Sequence, residues 1–169
     1  MGALLRSILE KAGPAKVSVV GNSAGAGLAL AAAQWLRDAG DCQPDSLVLI
    51  SPGLDFTISH PEQRKIARRD PLNDIPGTLE LGRLYAGDLD VAHPYVSPLR
   101  GDLRGLAPMT IFAGTRDFLY PDSIALTAKA QAAGVPVDLH LRCGQPHNYP
   151  GLPTPEGRDA RRAILRAVT

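Results

Sequence analysis

The sequence predicts an α/β fold built on a parallel sheet with helices on both faces. Three observations carry that reading. Apolar runs of strand length at 16–20, Ser46–Ile50 and 109–113 each stop on a glycine or proline turn. Helix-forming runs alternate with them, the order of βαβ units joined by right-handed crossovers. The run at Ser46–Ile50 is a continuous apolar one and 109–113 is largely apolar, as strands buried on both faces read. With 169 residues and 44% hydrophobic content one core can be buried, so a single domain is expected.

The elements follow in order. Ala3, Leu4, Leu5, Ile8, Leu9 and Ala12 recur at helical spacing before Gly13-Pro14, which predicts an opening helix of about three turns. The strand 16–20 comes next and stops on Gly21-Asn22-Ser23-Ala24-Gly25. A helix over Ala24–Asp38 then ends near Gly40, which suits a left-handed cap, and its alanine-rich face is expected to lie on the sheet. Ser46–Ile50 is too short for a helix and is read as a buried strand ending at Ser51-Pro52-Gly53.

Residues 54–106 change character. They are polar and proline-punctuated, with one helical stretch at 77–85 and turn signals at Asp70-Pro71, Gly87-Asp88 and His93-Pro94. An excursion of that length is expected to carry a lid or a substrate pocket. Order returns with the strand 109–113, and a helix starting near Pro121 reaches Ala133-Gly134. The strict alternation over 135–142 predicts a half-exposed edge strand, the loop 143–153 follows, and a helix over 155–167 closes the chain.

Composition excludes several function classes. A net charge of +1 gives no reason to expect nucleic acid as a partner, and the arginines of the last helix read as a solvated face. Cys42 and Cys143 stand alone, with neither a disulfide framework nor metal-ligand spacing, so no cofactor or metal is expected. No run approaches a membrane span and residues 1–11 lack the pattern of a signal peptide, so a cytoplasmic location is expected.

The chemistry starts at Ser23. A serine forced into a tight strand-to-helix corner takes strained backbone angles, and Gly21 and Gly25 are expected to remove collisions on either side of it. The hydroxyl would then stand free at the positive end of the following helix, with the Ala24 N–H aimed where an oxyanion forms. Such a nucleophile needs a base and an orienting acid at the carboxyl ends of other strands. Of four histidines, His147 follows the last strand at that end and is the expected base. His140 is read as surface, and His60 and His93 as turn or pocket-wall residues. Asp117 follows the strand 109–113 and is the expected acid, with Asp55 the runner-up; Asp122, beside Pro121, is read as a helix N-terminal charge. The order Ser23, Asp117, His147 is that of α/β-hydrolases.

Gly21-Asn22-Ser23-Ala24-Gly25, Ser51-Pro52-Gly53-Leu54-Asp55, the stretch Gly114-Thr115-Arg116-Asp117-Phe118-Leu119-Tyr120-Pro121-Asp122, and Pro146-His147 together resemble the hormone-sensitive-lipase-like esterases of the α/β-hydrolase superfamily, which include bacterial acetyl-hydrolases and lactone hydrolases. The resemblance spans nearly the whole chain. It implies a triad of Ser23, Asp117 and His147 acting on a small-molecule ester. Asn22 and Ala26 depart from the residues usual in that family, an acidic residue and often a glycine. The family's His-Gly-Gly-Gly-type oxyanion loop and early strands have no counterpart in 1–169, so an N-terminally truncated, C-terminal part of the fold is expected. Two expectations then stand side by side. One is a serine esterase; the other is a weak or silent half-molecule whose strand 16–20, with Val17 and Val19 partly uncovered, pairs with a second copy or a complementary chain.

Overall fold

The computed structural model describes residues 1–169. Helix α1 (Gly2–Ala12) leads to β1 (Ser18–Asn22), α2 (Ala24–Asp38) and β2 (Ser46–Ile50). The excursion holds α3 (Gln63–Ala67), α4 (Ile75–Ala86) and a 3₁₀ turn at Pro98–Arg100. Then come β3 (Met109–Gly114), α5 (Tyr120–Ala132), β4 (Val137–Arg142), a 3₁₀ turn at Tyr149–Gly151 and α6 (Pro155–Val168).

The four strands are parallel in the order β1-β2-β3-β4. Small shifts from the expected boundaries have local causes. The Val17 N–H donates to the Asp45 carboxylate at 2.7 Å instead of entering the ladder, and β1 runs on to Asn22 opposite Ile50. Pro136 has no N–H to give, so β4 starts at Val137, two residues after the expected start, although the Pro136 carbonyl still accepts from Met109 N at 2.9 Å. Asp74 caps α4 by accepting from Gly77 N at 2.7 Å, with proline in the first turn, which opens that helix two residues before the expected start.

Helices cover both faces. Ala26, Ala29, Leu30 and Ala33 of α2 and Leu126 and Ala130 of α5 pack on Leu47, Leu49, Met109 and Ile111. The opposite residues, Val48 and Phe112, meet Tyr149 and the α6 alanines Ala160 and Ala163. Fully burying a leucine-sized side chain stabilises by about 1.5–3 kcal/mol, so the α2–α5 layer is the larger anchor of the sheet. Helix α1 packs through Leu5 on Ala32 and Leu36 of α2, and the Arg6 guanidinium lies 4.6 Å above the Trp35 ring.

Strand β1 is an edge, paired on one side with β2. Val17 and Val19 are half-buried, and Val19 packs against both the main core and the α1 cluster. The most uncovered apolar side chain of the strands is Val20, at 50% exposure. A cavity of about 460 Å³ opens between α1, β1 and the start of α2, walled by Leu4, Ile8, Val19, Val20 and Leu28.

Candidate active site

Ser23 occupies the corner between β1 and α2. Its N–H donates to Ile50 O at 2.8 Å, and its φ of 54° with ψ of −121° turns the chain into the helix. Such a conformation costs a non-glycine residue about 1–3 kcal/mol and persists only when its surroundings over-determine it. They do so here. Ser23 O accepts from Ala26 N, Gly27 N and Gly53 N at 3.1, 3.3 and 3.1 Å, which pins the corner from the helix and from the turn after β2.

The glycines divide the work differently from the expectation. A Cβ on Gly21 would stand 2.5 Å from Ala26 Cα, so that position is closed to any larger residue, as expected. A Cβ on Gly25 would meet nothing within 4 Å, and its φ is not in the left-handed region, so the predicted collision there does not exist. The second close approach belongs to Gly27, where a Cβ would run into the carbonyl of Gly53. That contact joins α2 to a turn 26 positions away, which no local motif announces.

His147 and Asp117 arrive from the ends of β4 and β3. Asp117 is acceptor-only when ionised, so His147 Nδ1–H donates to Asp117 Oδ2 at 2.7 Å. That leaves Nε2 to accept from the Ser23 hydroxyl at 2.9 Å. Asp117 is fully buried and takes a further bond from Leu119 N at 3.0 Å. His147 is buried too, and its ring is held by these two bonds. Ala24 is the first residue of α2, where N–H groups have no partner within the helix and point outward. The three side chains read from the sequence thus form one hydrogen-bonded chain that can deprotonate a hydroxyl and hold the resulting imidazolium.

Other residues build this arrangement that the sequence reading placed only as motif neighbours or turn signals. Ser51, itself at φ 44°, accepts the Asn148 N–H at 2.9 Å and so fixes the residue after the histidine, which takes φ 57°. Gly114 lets the 145–146 backbone lie against the end of β3: a Cβ there would be 2.7 Å from Gln145 C and 2.8 Å from Pro146 O. Asp70, far out in the excursion, accepts Phe118 N at 2.9 Å and steadies the aspartate turn. Ile58 and Ile66 of the excursion pack on Phe118 and Leu119 of the same turn. The one available signal was the pairing of glycine or asparagine with the motifs at 114 and 148, both suited to tight backbone.

Two carboxylates change role. Asp55, the runner-up acid, is buried and engaged by Arg100 Nε and Nη2 at 3.2 and 3.1 Å, by both hydroxyls of Thr57 and Ser59 at 2.6 Å, and by Thr57 N at 3.0 Å. Burial pushes its carboxyl up, but the bonds from Ser59, Thr57 and Arg100 outweigh that and hold it below the usual carboxylate range. It braces the excursion. Asp122 stands in the first turn of α5, as Pro121 suggested, but it is buried there. It is 2% exposed, and burial, with the neighbouring Asp55 charge, pushes it up to about 7. The remaining histidines are held elsewhere. His140 stacks on Phe112 at 4.6 Å and meets Asp138 at 2.9 Å, while the Nδ1 atoms of His60 and His93 accept from Glu62 N and Tyr95 N.

A second cavity, of about 280 Å³, opens beside Ala24 and Gly25 on the excursion side. Its walls are Leu28, Phe56, Leu81, Tyr85 and Tyr95, with no charged side chain among the lining residues. The excursion therefore supplies an apolar, partly aromatic pocket against the start of the nucleophile helix.

A family model described as the alpha/beta hydrolase fold matches residues 3–151. The chain belongs to the α/β-hydrolase fold family. It is 40% identical over 175 residues to an acetyl-hydrolase of Streptomyces hygroscopicus, covering 99% of this chain and 58% of that protein. To a triacylglycerol lipase of Mycobacterium tuberculosis it is 36% identical over 149 residues, covering 88% of this chain and 30% of the lipase. The crystal structure of a hormone-sensitive lipase from a metagenome library superposes with a TM-score of 0.93 at 33% identity, over 99% of this chain and 57% of that one. This α/β-hydrolase chain thus spans 58% or less of the length of these relatives. None of its helices is long and apolar enough to cross a membrane.

Proposed function

We propose that this chain hydrolyses carboxylic esters of small molecules through an acyl-enzyme on Ser23. The observation that supports the reading is the unbroken chain from the Ser23 hydroxyl through His147 to Asp117. His147 Nε2 takes the hydroxyl proton as Oγ attacks the ester carbonyl carbon, and Asp117 stabilises the imidazolium. The Ala24 N–H donates to the carbonyl oxygen as it gains negative charge. Collapse breaks the bond to the alcohol, which leaves with the proton from His147. A water then attacks the acyl carbon with His147 again as base, releasing the acid and restoring Ser23.

The apolar cavity beside Ala24 supports a substrate whose acyl or alcohol group is short and uncharged, and a lactone meets the same requirement. The similarity to an acetyl-hydrolase supports the short acyl group. A fluorophosphonate tests the proposal directly. It should label Ser23 alone, and Ser23→Ala or His147→Ala should abolish labelling; an adduct mapped to Ser51 or Ser123 overturns the assignment. In a p-nitrophenyl ester series, acetate and butyrate should outrun decanoate.

A further inference from the structure

The fold gathers three buried carboxylates near the turn that carries Asp117, and the mechanism above uses one. Asp55, Asp117 and Asp122 are 4%, 0% and 2% exposed. Asp55 is balanced by Arg100 and Asp117 by His147. Asp122 has no cation. Its Oδ2 accepts from the Gln63 amide nitrogen at 3.1 Å, and the Asp55 backbone N–H is its other donor. Gln63 is fully buried, and its amide is oriented because Oε1 accepts from His60 N at 3.1 Å. The Asp122–Gln63 bond thus ties α3 of the excursion to the first turn of α5, five residues from Asp117.

The charges around Asp122 are all accounted for. From the turn after β2 comes Asp55, whose charge is matched by Arg100; from the turn after β3 comes Asp117, whose partner is His147; Asp70 faces the same turn through Phe118 N. Helix α3 faces it with the neutral Gln63, while Arg64 and Lys65 are exposed. An isolated buried carboxylate among other carboxylates favours its neutral form, first by burial and then by repulsion from Asp55 and Asp117, which brings Asp122 to about 7.

We propose that Asp122 is a positioning residue for the hydrolysis, acting through Asp117: protonated, it is a neutral brace between α3 and α5; ionised, it adds a second negative charge behind the Asp117–His147 pair and favours the imidazolium formed in the transition state. The proposal rests on the reading of Ser23, His147 and Asp117 as the catalytic chain. Its consequence is a proton on the rising limb of the pH–rate profile that belongs to neither serine nor histidine.

The test compares wild-type chain with Asp122→Asn, which keeps the size and an oxygen for Gln63. Fluorophosphonate labelling rates should agree within about twofold at pH 5.5, where Asp122 is protonated, and diverge several-fold in favour of wild type at pH 8.5. Between those limits the wild-type profile should be steeper than one proton and the variant's should not. A merely structural role would lower the variant at every pH alike. Gln63→Met, which keeps the carboxyl but removes a donor that favours its charged form, should move the extra step to higher pH, and it serves if the first variant does not fold. Carbon-13 titration of the Asp122 carboxyl should find a midpoint near neutrality, and a midpoint in the ordinary range near 4 overturns the proposal. Labelling whose pH profile is unchanged by Asp122→Asn overturns it while leaving the hydrolase reading intact. Absence of labelling at every pH in wild type overturns both.

Discussion

Gly114→Ala offers a test of the site at a residue that touches no substrate. Gly114 ends β3, and the chain just before His147 crosses it so closely that an added methyl would press on the Gln145 carbonyl, with Gln145 C at 2.7 Å and Pro146 O at 2.8 Å. Ordinary contact begins near 3.4 Å and the Gln145 oxygen lies closer still than its carbon, so the 145–146 backbone must retreat by at least about 0.7 Å or the end of β3 must yield by as much. His147 follows immediately in the chain. A displacement of that size along the Ser23–His147 direction takes the 2.9 Å hydrogen bond to about 3.6 Å, where it no longer counts as one. Misplacement approaching 1 Å costs up to about a hundredfold in rate, so fluorophosphonate labelling and ester turnover should both fall by roughly 10- to 100-fold. Stability should drop by about 1–3 kcal/mol, the ordinary cost of overpacking, as read from chemical denaturation. A folded Gly114→Ala chain that labels at the wild-type rate refutes the reasoning, because the histidine loop would then be free to shift without loss.

Three further outcomes are expected. Asp117→Asn should reduce ester turnover by up to about 10⁴-fold by imposing the wrong histidine tautomer, whereas Asp55→Asn should cost about 1–3 kcal/mol of stability by leaving Arg100 unmatched and change the labelling rate little; the reverse ranking in labelling kinetics would move the acid to the turn after β2. Asp122 is raised from 3.8 to about 7, so the stability it contributes is fully present below pH 3.8 and is lost as pH rises to about 7, on the order of 4 kcal/mol at most. Melting curves should therefore show Asp122→Asn gaining on wild type between pH 4 and 7 and levelling above that; a constant offset across the range would contradict the burial argument. The open edge of β1, with Val20 half exposed, should drive self-association of the 169-residue chain, and Val20→Lys should shift sedimentation toward monomer; a wild-type chain that sediments as a monomer at tens of micromolar contradicts this.

Much of the architecture was legible because it is written in local periodicity. Strand β2 and helix α2 have the bounds expected from their apolar runs, and Ser23, Asp117 and His147 could be placed because each follows a recognisable strand. What stayed hidden depends on distant contacts. Helix α3 is five residues long, too short for a periodic signal. Gly27 matters because of the Gly53 carbonyl, Asp55 is neutralised by a guanidinium 45 positions on, and Asp122 is buried because α3 lies over it. In each case the sequence carried the correct residue type, but the partner that gives it meaning lies in another element.

The identity of spatial and chain order in the sheet has a consequence for synthesis. Each strand pairs with its immediate predecessor, so the sheet can extend strand by strand as the chain leaves the ribosome, with no slot held open for a later insertion. The reactive constellation does not grow in that gradual way. Asp117 follows Ser23 only after β3, and His147 only after β4, so the serine hydroxyl has no base until 124 further residues have been added. A nascent chain halted before residue 143 would carry the strained corner and the acid in near-final form and still be chemically silent. Competence for the proposed acyl transfer would therefore appear as a late step, separable in time from the growth of the sheet that supports it.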